Sequence, residues 1–533
     1  MKNNSSNSLY VFLLTLVATL GGLLFGYDTA VISGAVGSLQ AFFIDSLFSD
    51  QEKALRVLWE YRLTVIAVIL ILSFAVGGIF IKLFGRRRGM IGSIVLVIFL
   101  IFVLFLNFRG EAFLNAETAN SIKGFTISSA LVGCILGGTL GGFISRVLGR
   151  KNGLITAAVL FTISAIGSSI PEKMNIFGVE SIISFIIYRI IGGIGVGLAS
   201  MLSPMYIAEI APPAIRGKLV SWNQFAIIFG MLIVYFVNYT IALQGNESWL
   251  VQAGWRWMFA SETIPAVIFL ILLLFVPETP RYLVMQNKEN QALSLLKRLG
   301  QPEMAEKVLA EIKETLRIKD TPWLSYGGLL IIIGILLSVF QQFVGINVVL
   351  YYAPEIFRNM GSQTNVSLLQ TIIVGAVNLS FTVMAIFTVD KFGRKPLQII
   401  GALGMAISMF ALGFSFYLKI VGLGSLIFML TYTASFAVSW GPVTWVLLSE
   451  IFPNRIRGAM SIAVAAQWIA NLIISWSFPM MNDNSWLTEQ FNHGFAYWIY
   501  GVMGFLAAVF VWKLVPETKG KTLEEMENIW SKG

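Results

Sequence analysis

The sequence holds one cysteine and one histidine in 533 residues. Cys134 alone excludes an intramolecular disulfide, and His493 alone leaves no His-based metal cluster or multi-His relay. Charge is scarce as well. Asp, Glu, Lys and Arg supply 12% of the chain against 56% hydrophobic residues, too few to coat a water-soluble protein of this length. No nucleophile–base–acid set and no phosphate-binding loop stands out, so the chain does not read as an enzyme, and no cofactor is expected. The net charge of +9 would fit a nucleic-acid partner in a soluble protein. In an apolar chain its placement decides its meaning, and no nucleic acid is expected here.

Long apolar runs are what the chain has in abundance. A helix needs about 20 apolar residues to cross the hydrocarbon core, where no water satisfies exposed backbone groups. Fourteen segments meet that length, near 9–39, 63–83, 90–108, 124–145, 153–170, 181–207, 218–243, 257–276, 327–353, 367–389, 396–418, 422–448, 459–480 and 495–515. The first outruns the apolar core of a signal peptide, about 7–15 residues, and lacks a small-residue cleavage site, so it is expected to stay in the mature protein. With the N-terminus inside, 27 of the 37 Lys and Arg residues fall in cytoplasmic segments and nine in outside loops. The opposite orientation would break the positive-inside bias. Both termini are therefore expected in the cytoplasm and the chain in the inner (plasma) membrane.

The chain is written twice. Gly149-Arg150-Lys151 recurs as Gly393-Arg394-Lys395, 244 residues later. Glu209-Ile-Ala-Pro-Pro-Ala-Ile-Arg216-Gly recurs as Glu450-Ile-Phe-Pro-Asn-Arg-Ile-Arg457-Gly, 241 later, and Pro277-Glu278-Thr279 recurs as Pro516-Glu517-Thr518, 239 later. Three matches in order at nearly one offset indicate an internal parallel repeat. The expected organisation is an N-terminal bundle over 1–276, a cytoplasmic helical linker over 277–325, a C-terminal bundle over 326–515 and a cytoplasmic tail over 516–533. The linker carries Leu293, Leu296, Val308 and Ile312 at helical spacing, the mark of amphipathic helices.

The first half is longer by some seventy residues, which hold the spans 63–83 and 90–108, an inserted hairpin at about 51–118. Its turn, Gly85-Arg86-Arg87-Arg88, falls on the cytoplasmic side, so the pair preserves the direction of everything after it. With no amide or carboxylate mid-span, the pair is expected to line no pathway and to pack at the periphery.

An ionised side chain inside the membrane costs at least about 2.5–3.5 kcal/mol, so each needs a reason. Two stand out: Asp28 in the glycine-rich string from Gly21, and Arg189 ahead of Gly192-Gly193. A carboxylic acid in low dielectric tends to hold its proton, and a guanidinium beside it favours release. A pair that meets in one conformation and parts in another is a proton switch; the alternative is a permanent buried pair that sets helix packing. Amides dominate the second half: Gln341, Gln342 and Asn347, then Asn378 and Gln467, with Gln224 as the counterpart in the first half. Amides donate and accept without charge, which suits a neutral polyol, and Phe25, Tyr351, Trp445 and Trp468 offer flat faces to a sugar ring. For any single glutamine an interhelical hydrogen bond is the alternative. Glu209 with Arg216, Glu450 with Arg457, and Arg150 and Arg394 are candidates for salt bridges that tie cytoplasmic helix ends together in one state and break in the other. Glu278, Arg281 and Asp390, in or beside the repeated strings, join that set.

These strings resemble the sugar porter family of the major facilitator superfamily, and within it most of all the bacterial xylose/proton symporters. The likeness covers nearly the whole chain outside about 50–118 and rests on Gly21–Gly34, Arg189–Gly217, Asn223–Gly230, Pro277–Arg281, Gln341–Pro354, Asp390–Lys395, Trp440–Gly458 and Pro516–Gly520. It implies an all-α polytopic protein with the major facilitator fold, two six-helix bundles, here with the extra hairpin and fourteen spans in total. It also implies a monosaccharide site between the bundles, alternating access and function as a monomer in the lipid bilayer. By motif position the sugar-binding residues fall on Gln224, Gln341, Gln342, Asn347, Asn378, Gly441, Trp445, Gln467 and Trp468, and the proton-linked acid on Asp28. Met231 stands where the xylose carriers have a second glutamine, which leaves hexoses open beside pentoses. Arg146 stands where the loop motif usually carries an acid. Import coupled to protons is the expected activity; a facilitative hexose carrier is the rival, and a sugar receptor on a carrier fold a more distant one.

Overall fold

The computed structural model describes residues 2–85, 87, 89–95, 97–98, 114–175, 178–212, 215–300, 302–317, 323–452, 454–521, 525–526 and 530. Side chains are described within these except at 2–8, 74–76, 79–80, 82–84, 390, 454–455 and 457. Among the described residues every regular element is a helix. The first half runs α1 (Lys2–Leu39), α2 (Gln51–Phe84), α3 (Ala116–Val147), α4 (Gly149–Ser169), α5 (Ser181–Ile210), α6 (Arg216–Ala242), α7 (Trp255–Ser261) and α8 (Thr263–Phe275). Three short helices follow, α9 (Pro280–Met285), α10 (Glu289–Leu299) and α11 (Ala305–Arg317). The second half is α12 (Gly328–Phe343), α13 (Ile346–Asn359), α14 (Thr364–Phe392), α15 (Arg394–Tyr417), α16 (Leu423–Val438), α17 (Trp440–Ile451), α18 (Met460–Asn482), α19 (Ser485–Phe491) and α20 (Phe495–Leu514). Twelve helical segments, from Leu9–Ser49 to Phe495–Leu514, are long and apolar enough to cross a membrane, and the chain is a multi-pass membrane protein.

Small residues set how closely these helices cross. A Cβ added at Gly193 of α5 would stand 1.8 Å from the Ala130 carbonyl oxygen of α3, and one at Gly26 of α1 would stand 1.8 Å from that of Ile227 on α6. Neither crossing admits a side chain. Without a hydrophobic driving force between helices in lipid, such contact is what holds a bundle together.

Two spans of the second half are broken, and the breaks place polar groups at mid-depth. Gly345 separates α12 from α13 with φ 92°, a left-handed conformation that favours glycine. Tyr432 donates its hydroxyl to the Val344 carbonyl at 2.7 Å and so satisfies a backbone group freed by the break. Ser439 separates α16 from α17. In the first half α7 and α8 part at Glu262, where Pro265 lacks the N–H that would reach the Ser261 carbonyl.

The segment 63–83 lies within α2, but most of its expected partner, 90–108, lies outside the described residues, as do Arg86 and Arg88 of the turn. Helix α2 is fastened to the rest of the first half. Tyr61 and Ser121 of α3 share a hydrogen bond of 3.0 Å, and Arg56 reaches Glu60 at 3.3 Å and Glu180 at 3.4 Å. In the connecting segment Ala292, Leu295 and Leu299 are buried and Leu293 and Leu296 are half-buried, so the apolar face of α10 centres one residue away from the expected stripe.

Candidate functional site

Between the two halves lies a cavity of about 2090 Å³. Its wall reaches Arg146, Lys218, Arg394, Ser449 and Gly458, so it opens at the end that carries the repeated Gly-Arg-Lys loops. Phe25, Gln224, Met231, Gln341, Gln342, Asn347, Tyr351, Asn378, Gly441, Trp445, Gln467 and Trp468 all line it. Asn223, Thr382 and Asn471 line it too, and were not singled out as candidates in the sequence. Gly78 of α2 also forms part of the wall, which corrects the expectation that the inserted segment lines no pathway. The segment 63–83 has no amide or carboxylate, but a glycine contributes wall surface through its backbone.

The amides form a chain across the helix break. Asn347 Nδ2 donates to Gln342 Oε1 at 2.5 Å, Gln342 Nε2 donates to Gln341 Oε1 at 3.4 Å, and Gln341 Nε2 donates to the Trp440 carbonyl at 2.9 Å. The last bond lands beside the second break, so α12, α13 and α17 position one another through side-chain amides. Gln467 Oε1 is buried without a hydrogen-bond partner among the described residues, an acceptor with the capacity to take a hydroxyl donor. The Phe25 and Trp468 rings, one from each half, stand 5.7 Å apart. Neutral donors and acceptors between aromatic faces are the chemistry that recognises an uncharged polyol.

The buried charges sit off the cavity. Arg189 Nη1 donates to Asp28 Oδ1 at 2.6 Å and Nη2 to the Asp28 carbonyl at 2.9 Å, with the side chains 1% and 0% exposed. Sequence reasoning missed a third member, Glu262, at the α7–α8 break. It is fully buried and interacts with the Asp28 carboxyl and with the charge of Arg189. Two carboxyls thus share one guanidinium. On α1, Asp28 lies three residues beyond Phe25, so one helix carries both a group of the charged cluster and a wall of the cavity.

At the cavity mouth the repeated motifs have a repeated geometry. Arg150 binds Glu209 through Nη2 at 2.6 Å, and Arg394 binds Glu450 through Nη2 at 2.8 Å. Glu278 Oε1 accepts the Arg150 backbone N–H at 3.1 Å, and Glu517 Oε1 that of Arg394 at 3.2 Å. Gly149 and Gly393 take φ 89° and 92° before these N–H groups, which explains why a glycine stands in both turns. Burial pushes the Glu278 carboxyl above its ordinary range, against the pull of the N–H donors of Thr279, Lys151 and Arg150. The expected pairing is therefore corrected. Glu209 takes Arg150 as its partner, whereas Arg216 donates to the Ala211 carbonyl at 3.5 Å and Arg281 to Thr315 at 3.5 Å. A helix end brings Glu209 to the first turn of α4, and both ion pairs lie within their own half. The side chains of Asp390 and Arg457 lie outside the described set.

The opposite end is shut by contacts between halves. Tyr235 donates to the Leu350 carbonyl at 3.0 Å, Trp476 Nε1 to the Ser121 carbonyl at 3.0 Å, and Asn120 to the Asp483 carbonyl at 3.0 Å. Lys123 is buried between Glu355 and Asp483, with Asp483 at 2.7 Å. The molecule is thus open at one end and closed at the other.

The sequence profile of the sugar (and other) transporter family matches residues 14–113 and 101–530. The D-xylose-proton symporter of Escherichia coli is 53% identical, over 99% of this chain and 97% of the symporter. The arabinose-proton symporter of Bacillus subtilis is 38% identical, over 98% and 96%. Among solved structures, the inward-open conformation of the E. coli xylose transporter XylE aligns with a TM-score of 0.77 at 52% identity, covering 98% of this chain and all of that one.

Proposed function

The chain belongs to the sugar (and other) transporter family, and from that membership and the geometry of its cavity we propose that it imports a monosaccharide together with a proton. The substrate is a pentose such as D-xylose or a hexose. The observation that carries this reading is that one helix, α1, supplies both Phe25 to the wall of a polyol-type cavity and Asp28 to a buried cluster of two carboxyls and one guanidinium. The amide chain of Gln341, Gln342 and Asn347, with Gln224, Asn378 and Gln467, holds the hydroxyls; Phe25, Tyr351, Trp445 and Trp468 face the ring. Gly441 supplies close backbone approach, and Met231 replaces a polar contact with a thioether.

Asp28, Arg189 and Glu262 together take up and release the proton. Held against Arg189, an ionised Asp28 is compensated; a proton arriving from outside frees the pair and lets α1 move against α5. The wall and the cluster move as one element, which links sugar release to proton release. At the mouth, the pairs Arg150–Glu209 and Arg394–Glu450, braced by Glu278 and Glu517, with Arg216, Arg281, Asp390 and Arg457 nearby, rearrange as that end closes. The mouth faces the cytoplasm on the positive-inside bias, with both termini there and the chain in the inner membrane as a monomer. We further assign the inserted hairpin two crossings, giving fourteen spans, bundles over 1–276 and 326–515, a linker over 277–325 and a tail over 516–533. Uptake of labelled xylose, glucose and arabinose into proteoliposomes tests the reading. At least one sugar accumulates above equilibrium with an inward pH gradient and only equilibrates without one; entry of none of the three refutes the substrate class.

A further inference from the structure

Among the described residues, Lys123 is the one lysine or arginine that the sequence placed in an outside loop and that the structure buries. It sits in the second turn of α3, 3% exposed, with its ammonium against Glu355 of α13 and 2.7 Å from Asp483, just past the end of α18. Both carboxylates belong to the other half of the molecule, 232 and 360 residues away. The surrounding contacts also cross between halves. Asn120, one turn earlier, donates to the Asp483 carbonyl, and a Cβ on Gly124 would stand 2.1 Å from the Trp476 carbonyl oxygen.

We propose that Lys123, Glu355 and Asp483 form an ionic latch that closes the cavity at the outer end and sets the balance between outward-open and inward-open forms of the empty carrier. The argument is electrostatic. A buried ammonium is tolerated because two carboxylates compensate it, and that compensation exists only while the halves touch at this end. Removing the lysine alone leaves Glu355, buried, and Asp483, part-buried, as neighbouring like charges, a repulsion that water relieves if the halves part. Removing the carboxylates alone strands a buried ammonium, which the same opening relieves. Removing all three leaves a neutral contact with nothing to relieve, since replacing a whole buried ion cluster is commonly neutral or stabilising. A residue that only packs would behave differently, with each added substitution loosening the contact further.

The latch rests on the alternating-access reading above, but its readout is a distance in sugar-free protein, so a failure of sugar or proton flux does not decide it. Glu117 of α3 and Glu489 of α19 are exposed on opposite halves at this end, and Cys134 is fully buried, so cysteines at the two positions take spin labels selectively. Distances between the labels are measured in lipid nanodiscs. Lys123→Leu, and separately the Glu355→Gln/Asp483→Asn pair, are expected to raise the ratio of long to short distances about fivefold or more. Lys123→Arg keeps the wild-type distribution, and the triple Lys123→Leu/Glu355→Gln/Asp483→Asn returns towards it. Wild-type distributions in both charge-removing variants, or a triple variant more open than Lys123→Leu, overturn the latch. If Lys123→Leu yields no folded protein, the carboxylate pair decides by the same criterion.

Discussion

Replacing Asp28 by asparagine removes a proton site while keeping the shape of the side chain. The lost contact is the charge-assisted bond from Arg189 Nη1 to Oδ1 at 2.6 Å; the bond from Nη2 to the backbone carbonyl at 2.9 Å does not depend on the side chain. The asparagine oxygen still accepts, so the exchange is of a charged for a neutral hydrogen bond, about 1–2 kcal/mol. Glu262, buried in the same cluster, leaves a second carboxyl group beside the Arg189 charge. The variant is therefore expected to fold and to bind sugar. Its energetics of transport change completely. A gradient of one pH unit carries about 1.4 kcal/mol per proton, which supports about tenfold accumulation at one proton per sugar. The variant should bring the ratio to about one while exchange of internal for external sugar persists. The assay is uptake into proteoliposomes with an imposed pH gradient, with counterflow as the control for binding and movement. Near-tenfold accumulation in Asp28→Asn would show that the coupling proton resides elsewhere.

Met231→Gln restores an amide to the cavity wall, and one neutral hydrogen bond of about 1 kcal/mol should shift preference towards xylose over glucose about fivefold; an unchanged ratio in competition uptake counts against a role for this position. Gly193→Val forces side-chain atoms into the Ala130 carbonyl, already 1.8 Å from an added Cβ, and should lower thermal stability by several degrees or abolish folding; a wild-type melting curve would contradict the close crossing. Glu278 gives a pH signature. Its carboxyl holds a proton more tightly in the folded protein than in the unfolded chain, so its contribution to stability declines as pH rises from the ordinary value of 4.5 through the raised one. Subtracting the stability of Glu278→Gln from that of the wild type should give a difference that falls with pH in this window, and a rising difference contradicts the assignment.

The cavity was legible in the sequence because a polar side chain in an apolar helix is conspicuous. Gln341, Asn378 and Gln467 announce themselves among leucines and isoleucines, and all three line the wall. Glu262 was missed because it lies close to Arg256 near one end of its run and passes for an interfacial charge; only the break at Pro265 and the packing against Asp28 place it inside. Lys123 was missed for a different reason. Its partners are hundreds of residues distant, and no local pattern distinguishes a loop lysine from one locked between two halves. The mouth shows the limit of reading pairs by proximity in sequence. Glu209 and Arg216 are neighbours in the chain, yet the turn into α6 sends Arg216 away and the start of α4 presents Arg150. The repeated Pro-Glu-Thr strings were legible as a repeat, but their work, capping the Gly-Arg-Lys turn through backbone N–H groups, required the fold.

Proton movement driven by sugar alone is the most direct test of the central claim. Wild-type proteoliposomes are suspended in weakly buffered medium without any imposed gradient, and xylose, glucose and arabinose are added in turn while external pH is recorded. The account predicts that at least one transported sugar makes the medium more alkaline as protons follow it inward, and that Asp28→Asn abolishes the signal. A sugar that enters at the wild-type rate with no change in external pH would contradict proton coupling and make the protein a facilitative carrier.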